Sequence, residues 1–168
     1  MNSTIILLCV AIAILLSVLL VYVYRDVKRG EKSDEKTNDP QTKHLQLQAY
    51  ERLTLLVDRI ALPNLISRMA VSGVSAKDMQ LLLVRNIREE FEYNISQQIY
   101  VTHDAWTAVK NLKEQNMLVI NQFANALPPN ATGLDLNKLL LEFLMNNKKG
   151  ALHEVVSEVL AYEAKTLL

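Results

Sequence analysis

The histidines of this sequence, the residues best suited to acid–base and metal chemistry at neutral pH, are few and scattered along the chain. The three histidines are His44, His103 and His153. No two of them have the i, i+4 spacing by which one helix presents two imidazoles to zinc. His103 and Asp104 could be imagined as a catalytic dyad, but adjacent residues on a helix point in different directions. We expect Asp104 to favour the positive end of a helix instead.

Carboxylates are the next candidates, because three glutamates, Glu89, Glu90 and Glu92, lie close together. A carboxylate metal site in a helical bundle draws ligands from several helices, commonly with a Glu-x-x-His pair, and that pair is missing from the sequence. The sequence also contains no glycine-rich phosphate loop, serine elbow or zinc-knuckle spacing. We therefore expect no catalytic residue, no metal site and no cofactor, and we do not expect an enzyme.

The segment FEYNISQQIYV, residues 91–101, mixes amides and tyrosines where a simple surface helix would use Lys and Glu. The functional interpretation is a contact surface for a protein partner, made by Tyr93, Gln97 and Tyr100. The structural interpretation, which we favour, is that Asn94 and Gln98, together with Gln97, pin the end of a helix.

The charge balance argues against nucleic acid as a partner. The chain has 18 basic and 18 acidic residues, so its formal net charge is zero. No overall field would attract a polyanion. The only cysteine, Cys9, lies in an apolar run, which leaves the rest of the chain without a disulfide or a thiol nucleophile.

That apolar run, IILLCVAIAILLSVLLVYVY, covers twenty residues from Ile5 to Tyr24 without a charge. A helix of this length spans a hydrocarbon core of about 30 Å. Tyr22 and Tyr24 suit the lipid–water boundary, and basic residues begin at Arg25. A cleaved signal peptide would need basic residues before its apolar core, and the side chains of residues 1–4 carry no charge. The sequence predicts a single-pass transmembrane anchor within residues 1–28.

The distribution of basic residues predicts the orientation of that anchor. None precedes the span, whereas several follow it closely: Arg25, Lys28, Arg29, Lys32 and Lys36. The C-terminal domain should therefore face the cytoplasm at the cell membrane. Residues 29–43 follow the span, and the stretch from Gly30 to Lys43 contains no hydrophobic side chain, so we expect a flexible polar linker.

Residues 44–168 are predicted to form an all-helical domain. From Leu45, apolar residues recur at three- and four-residue steps, as on one face of an amphipathic helix. The residues of this stripe are Tyr50, Leu53, Leu56, Val57 and Ile60. Pro63 ends or kinks that helix, or opens a short second one. Ser75 and Asp78 have the spacing of a helix N-cap and its first-turn partner.

The helix that follows is predicted to run to about Gln98. Its apolar stripe contains six residues: Met79, Leu82, Leu83, Ile87, Phe91 and Ile95. Its charged face should carry ion pairs between residues four apart, Arg85–Glu89 and Arg88–Glu92. The stretch Gln98–Val101 is rich in β-branched and aromatic residues but is too short to build a sheet, so we expect an extended connector.

Three more helices are predicted in the rest of the chain. Thr102 caps the first of them, which carries Trp106 on its apolar stripe and stops at Pro128. The second covers Leu134–Met145. The third runs from Ala151 to Leu168 with five residues on the core: Val155, Val156, Val159, Leu160 and Leu167. Five or six helices with short connections imply an antiparallel or orthogonal bundle.

Two stretches carry a resemblance to a known family: LQAYERLTLLVDRIALPNLISRM, from Leu47, and IREEFEYNISQQIYVTHDAWTAVKNLKEQ, from Ile87. In them the sequence resembles a bacterial family of uncharacterised membrane-anchored helical proteins, a domain of unknown function. The likeness covers most of residues 45–168. It implies the same layout of anchor, linker and helical domain, and it brings no catalytic residue or ligand.

Two hypotheses of function follow. The leading one is a non-enzymatic module that holds a helical interaction or scaffold domain at the inner face of the membrane, where tethering raises its effective concentration toward a protein partner. The alternative is a small-molecule or lipid-binding domain, if the leucine-rich bundle encloses an apolar cavity. Self-association as a homo-oligomer is compatible with both.

Overall fold

The computed structural model describes residues 39–146 and 152–168. They form six α-helices and one 3-10 helix: α1 Pro40–Ile60, α2 Leu62–Met69, α3 Ala76–Tyr93, the 3-10 helix Ile95–Ile99, α4 His103–Ala126, α5 Gly133–Asn146 and α6 Leu152–Thr166. Within this part of the chain the only β pairing is an isolated bridge between Ser75 and Thr132. The all-α prediction is confirmed.

The predicted transmembrane segment, Ile5–Tyr24, and most of the predicted linker lie outside the described residues. Among the helices α1 to α6, none combines the length and the apolar character needed to cross a membrane.

Helix α1 begins earlier than the sequence pattern indicated. It starts at Pro40, so the last four residues of the predicted linker 29–43 are helical. Proline suits the first turn of a helix, because the missing N–H has no partner there anyway. Asp39 supports the start, since its carboxylate accepts from Thr42 Oγ1 at 3.3 Å and its carbonyl accepts from Lys43 N at 3.0 Å.

The chain bends sharply between α1 and α2, where the sequence predicted a break near Pro63. Two polar side chains donate hydrogen bonds to the backbone carbonyls at this break. Asn116 Nδ2 donates to Ile60 O at 2.7 Å from within the core, and Arg68 Nη2 donates to Arg59 O at 3.1 Å. The orphan carbonyls at the end of α1 are thereby satisfied without water.

Helices α3 and α5 start side by side and use the same capping chemistry. Ser75 Oγ accepts from Asp78 N at 3.1 Å, as predicted. Thr132 Oγ1 accepts from Asp135 N at 3.3 Å, and Thr132 N donates to Asp135 Oδ2 at 2.8 Å. This backbone hydrogen bond, followed by one from the Thr132 hydroxyl, lowers the pKa of Asp135.

The two helix starts are joined by backbone hydrogen bonds between their loops. Ala76 N donates to Ala131 O, and Gly133 N donates to Val74 O, each at 2.9 Å. The approach is so close that a Cβ on Gly133 would lie 2.9 Å from Val74 Cγ2. A side chain at this position would force the side chain of Val74 to shift, and the backbone pairing fixes α3 against α5.

The end of α3 corrects two predictions. The helix stops at Tyr93 rather than near Gln98, and the predicted extended connector instead begins inside the 3-10 helix. Asn94 Nδ2 donates to Glu90 O at 2.9 Å, which terminates α3. A 3-10 helix has three residues per turn instead of 3.6, so the residues after Tyr93 no longer continue the apolar face of α3. Ile95 is therefore 49% exposed instead of core-facing.

One hydrophobic core joins all six helices. Its largest fully buried side chains are Leu53, Leu56, Ile60, Leu65, Met79, Leu83, Ile87, Leu112, Ile120, Leu136, Leu140 and Leu160. Trp106 packs against this core with its ring centroid 5.0 Å from that of Phe91, as predicted. In α6, Val156 and Leu160 face the core, whereas Val155 is exposed, contrary to prediction. Val155 and Val156 are adjacent and thus lie on different faces of the helix.

Candidate functional site

The three side chains predicted as a partner surface do not share one surface. Tyr93 is 78% exposed and Tyr100 is at the border of exposure, but Gln97 is buried, with only 8% exposed. Gln97 Nε2 donates to Ser96 Oγ at 3.2 Å, and the backbone carbonyl of Gln97 accepts from Tyr100 N. Gln97 therefore stabilises the 3-10 helix, and the two tyrosines line different grooves.

Tyr93 lines an open groove of about 540 Å³ between α1 and α3, which we call the α1–α3 groove. Arg52, Leu55 and Arg59 contribute from α1. These three positions are spaced so that they fall on one face of the helix. Leu55 is 64% exposed, and with Tyr93 it gives the groove an apolar rim. The groove thus combines solvent-facing apolar groups with guanidinium groups.

An ion-pair cluster forms one wall of the α1–α3 groove. The carboxylate of Glu90 accepts a hydrogen bond from Arg59 Nη2 and lies 3.9 Å from Arg68 Nη2. The hydrogen bond and charge of Glu90 raise the pKa of Arg59. Arg68 Nη2 also donates to Asn86 Oδ1 at 2.7 Å, which joins α2 to α3. The wall is therefore held in place by helices α1, α2 and α3 together.

The three glutamates considered as metal ligands have other surroundings. Glu90 is engaged by arginines, and Glu89 Oε1 accepts from Arg85 Nε at 2.6 Å, as predicted. The predicted Arg88–Glu92 pair is not among the ion pairs of residues 39–146 and 152–168. In this described part of the chain no three His, Cys, Asp or Glu side chains come together as a metal site.

A second polar cluster brings together three distant segments of the chain. Tyr50 Oη donates to Glu163 Oε2 at 2.7 Å, and Thr102 Oγ1 donates to the same oxygen at 2.6 Å. Thr102 N donates to Tyr50 Oη at 3.3 Å. Burial, followed by the hydrogen bond to Glu163, raises the pKa of Tyr50. Thr102 also caps α4, as predicted, by accepting from Ala105 N.

Sequence reasoning placed Tyr50 on an apolar stripe and did not single out Glu163. The two residues are 113 positions apart, so no local spacing connects them. A buried tyrosine needs a partner for its hydroxyl, which is the one general signal that could have prompted a search.

Two open grooves flank Tyr50. One, of about 600 Å³, lies between α1 and α6 and includes Leu47 and Leu168. The other, of about 210 Å³, includes Ile99, Tyr100 and Leu167. We call the surface that these five side chains form around Tyr50 the Tyr50 face. Leu55 borders the larger of these grooves as well as the α1–α3 groove.

Two of the histidines contact a residue one turn further along their own helices. His103 Nε2 is 3.5 Å from Thr107 Oγ1, one turn along α4, and His44 Nε2 is 3.0 Å from Gln48 Nε2 in α1. Asp104 is in the first turn of α4, where its charge favours the positive end of the helix. Each of these contacts is local to one helix.

The fold and these grooves define an all-helical domain with one core, a charged groove and an apolar face. The chain belongs to a family of unknown function, DUF7935, whose family model matches residues 1–167. The resemblance to a domain of unknown function is confirmed at that level. Comparison with the curated proteins and with the solved structures gives no match.

Proposed function

We propose that this protein is a membrane-anchored interaction module and that the α1–α3 groove binds a protein partner. The observation that carries the proposal is the pairing of two strongly exposed apolar side chains, Leu55 and Tyr93, with a charged wall fixed by Glu90. Tyrosine and arginine are enriched in the energetically important parts of protein interfaces.

The groove suits a segment that offers an apolar side chain and a carboxylate. The apolar group would pack against Leu55 and Tyr93. Arg52 is exposed, and Arg59 is half exposed while already oriented by Glu90. A guanidinium in this state can bind a carboxylate in two-point fashion at little further cost in side-chain ordering.

The anchor part of the proposal rests on the sequence. The uncharged run Ile5–Tyr24 has the length of a membrane-spanning helix, and the basic residues that follow it favour a cytoplasmic domain. Holding the domain at the membrane raises its effective concentration toward a membrane partner, so that even a small groove can give useful occupancy.

The test is affinity purification of the full-length protein from native membranes, followed by mass spectrometry. Tyr93→Ala removes the exposed ring from the groove, and Tyr162→Ala is the control because Tyr162 is similarly exposed, at 72%, on α6. If Tyr93 is an interface anchor, its loss costs about 2 kcal/mol, or roughly thirtyfold in affinity. We expect Tyr93→Ala to lose a partner that Tyr162→Ala retains.

A second arm tests the anchor. A chain that begins at Asp39 keeps the whole of α1 and removes the predicted span. We expect this chain to appear in the soluble fraction and to lose the partner, whereas the full-length protein stays with the membrane after an alkaline wash. Recovery of the same partner with both Tyr93→Ala and the chain that begins at Asp39 would contradict the proposal.

A further inference from the structure

The Tyr50 face exposes apolar side chains that the α1–α3 groove does not use. Ile99, on the 3-10 helix, is 73% exposed, and Leu168, just after α6, is 89% exposed. Between them lies Tyr50, whose hydroxyl is already engaged by Glu163. The face thus places exposed apolar groups on either side of the hydrogen bond between Tyr50 and Glu163.

Tyr100 adds an amphipathic ring to this face. It lines the smaller groove beside Tyr50, together with Ile99 and Leu167. Tyrosine rings with one apolar and one polar end favour the boundary between lipid and water. Apolar side chains of an interfacial helix are buried about 5–10 Å into the boundary between headgroups and acyl chains, and exposed apolar side chains such as Ile99 could be buried in the same way.

The charges on the face leave it without a strong electrostatic preference. Lys165 and Glu51 both line the larger groove, one basic and one acidic. The Glu163 carboxylate accepts hydrogen bonds from Tyr50 and Thr102. Contact with a surface would therefore depend on apolar burial rather than on anionic headgroups.

The length of the chain before α1 limits how far this face can be from a bilayer. Fifteen residues, 25–39, separate the end of the predicted span at Tyr24 from Pro40, where α1 begins. A chain of that length reaches at most about 50 Å whatever its conformation. Leu47, on the Tyr50 face, is only two turns into α1. The face is consequently held within reach of the membrane.

We propose that the Tyr50 face docks on the lipid surface of the membrane that holds the anchor, inserting Ile99 and Leu168 at the level of the upper acyl chains. This inference rests on the proposed anchoring of the chain. It gives the domain a fixed orientation at the membrane.

The test uses the full-length protein in phosphatidylcholine vesicles with Cys9→Ser as the background. Single cysteines are placed at Ile99→Cys and Leu168→Cys and carry a fluorophore. Leu134→Cys is the control, because Leu134 is 75% exposed but lines a different groove, between the loops that precede α3 and α5. Quenching by lipids with a nitroxide near the top of the acyl chain is measured at each position.

Docking predicts that quenching at positions 99 and 168 exceeds that at 134 by about threefold, since insertion places groups 5–10 Å into the boundary region. Vesicles that also contain anionic lipid should give the same ratio. Equal quenching at all three positions, with the protein still in the vesicle fraction, would overturn the docking while leaving the anchor intact.

Two other results would also overturn the inference and can be told apart. If the protein leaves the vesicles in an alkaline wash, the anchor is absent and the docking fails with it. If spin labels at position 99 of different copies show close dipolar coupling and no lipid quenching, the face is an interface between two copies of this chain.

Discussion

Besides its buried core residues, helix α1 makes two side-chain contacts with the rest of the domain that differ in chemistry. Near its C-terminal end, Arg59 pairs with Glu90 at the surface, and half of the Arg59 side chain is exposed. Two and a half turns earlier, Tyr50 is buried and donates to Glu163, which Thr102 also engages. The first contact is a partly solvated ion pair, whereas the second combines ring burial with hydrogen bonds.

This difference predicts how the two places respond to change. A partly exposed ion pair contributes little free energy, because solvent and salt screen it. A buried aromatic ring contributes much more through the apolar area removed from water. We infer that Tyr50 contributes more to the attachment of α1 than Arg59 does, and that the Arg59–Glu90 pair mainly shapes the α1–α3 groove.

The largest expected effect is on stability at Tyr50. Tyr50→Ala should lower the free energy of unfolding by about 3–4 kcal/mol, since it removes a fully packed ring. Arg59→Ala should cost less than about 1 kcal/mol. Urea unfolding of the chain from Asp39 to Leu168, followed by the fluorescence of Trp106, would measure both. Similar losses for the two variants would remove the distinction.

An intermediate effect is expected from the Tyr50 hydroxyl alone and from its pH dependence. Tyr50→Phe should cost about 1 kcal/mol at neutral pH by removing the hydrogen bond to Glu163. Because the fold raises the pKa of Tyr50, its contribution is complete below the unfolded value of about 10 and is lost as the pH rises through the folded value. The difference between wild type and Tyr50→Phe should therefore shrink above about pH 10.

The control for that experiment is Tyr162→Phe. Tyr162 is mostly exposed, so removal of its hydroxyl should leave the urea midpoint unchanged at both neutral and alkaline pH. A constant gap between wild type and Tyr50→Phe across the alkaline range would show that the hydroxyl of Tyr50 ionises equally in the folded and unfolded chain.

The smallest expected effect is at Glu90. Glu90→Gln should lower the free energy of unfolding by less than about 1 kcal/mol at low salt, because Arg59 is half exposed. The loss should decrease further at about 1 M salt, where the screening length is about 3 Å. Glu89→Gln is the matched control, since its pair with Arg85 is more exposed on both sides. A loss at Glu90 that is independent of salt would indicate a buried, structural role instead.

The features predicted correctly from the sequence are local ones. The caps at Ser75 and Thr102 and the break near Pro63 each depend on residues within three or four positions. Hydrophobic spacing gave most of the core for the same reason, because side chains one turn apart share a face of the helix.

The features that escaped prediction depend on distant contacts or on a change of helical period. The switch from α to 3-10 geometry after Tyr93 buries Gln97 and exposes Ile95, which reverses the pattern expected from a continuous helix. The hydrogen bond of Tyr50 to Glu163 joins α1 to α6 across most of the chain, and no spacing rule relates such positions. The start of α1 at Pro40 was not predicted because the first residues of the helix are polar and show no apolar spacing.

Photocrosslinking from the α1–α3 groove in native membranes tests directly whether this groove binds a protein partner. A benzophenone amino acid at position 93 of the full-length protein retains an aromatic side chain at the rim, and the same group at position 162 is the control. We expect a discrete protein adduct at position 93 that is lost with Arg52→Glu and is not formed at position 162. No adduct at position 93, or the same adducts at both positions, would contradict the assignment of this groove as the partner-binding surface.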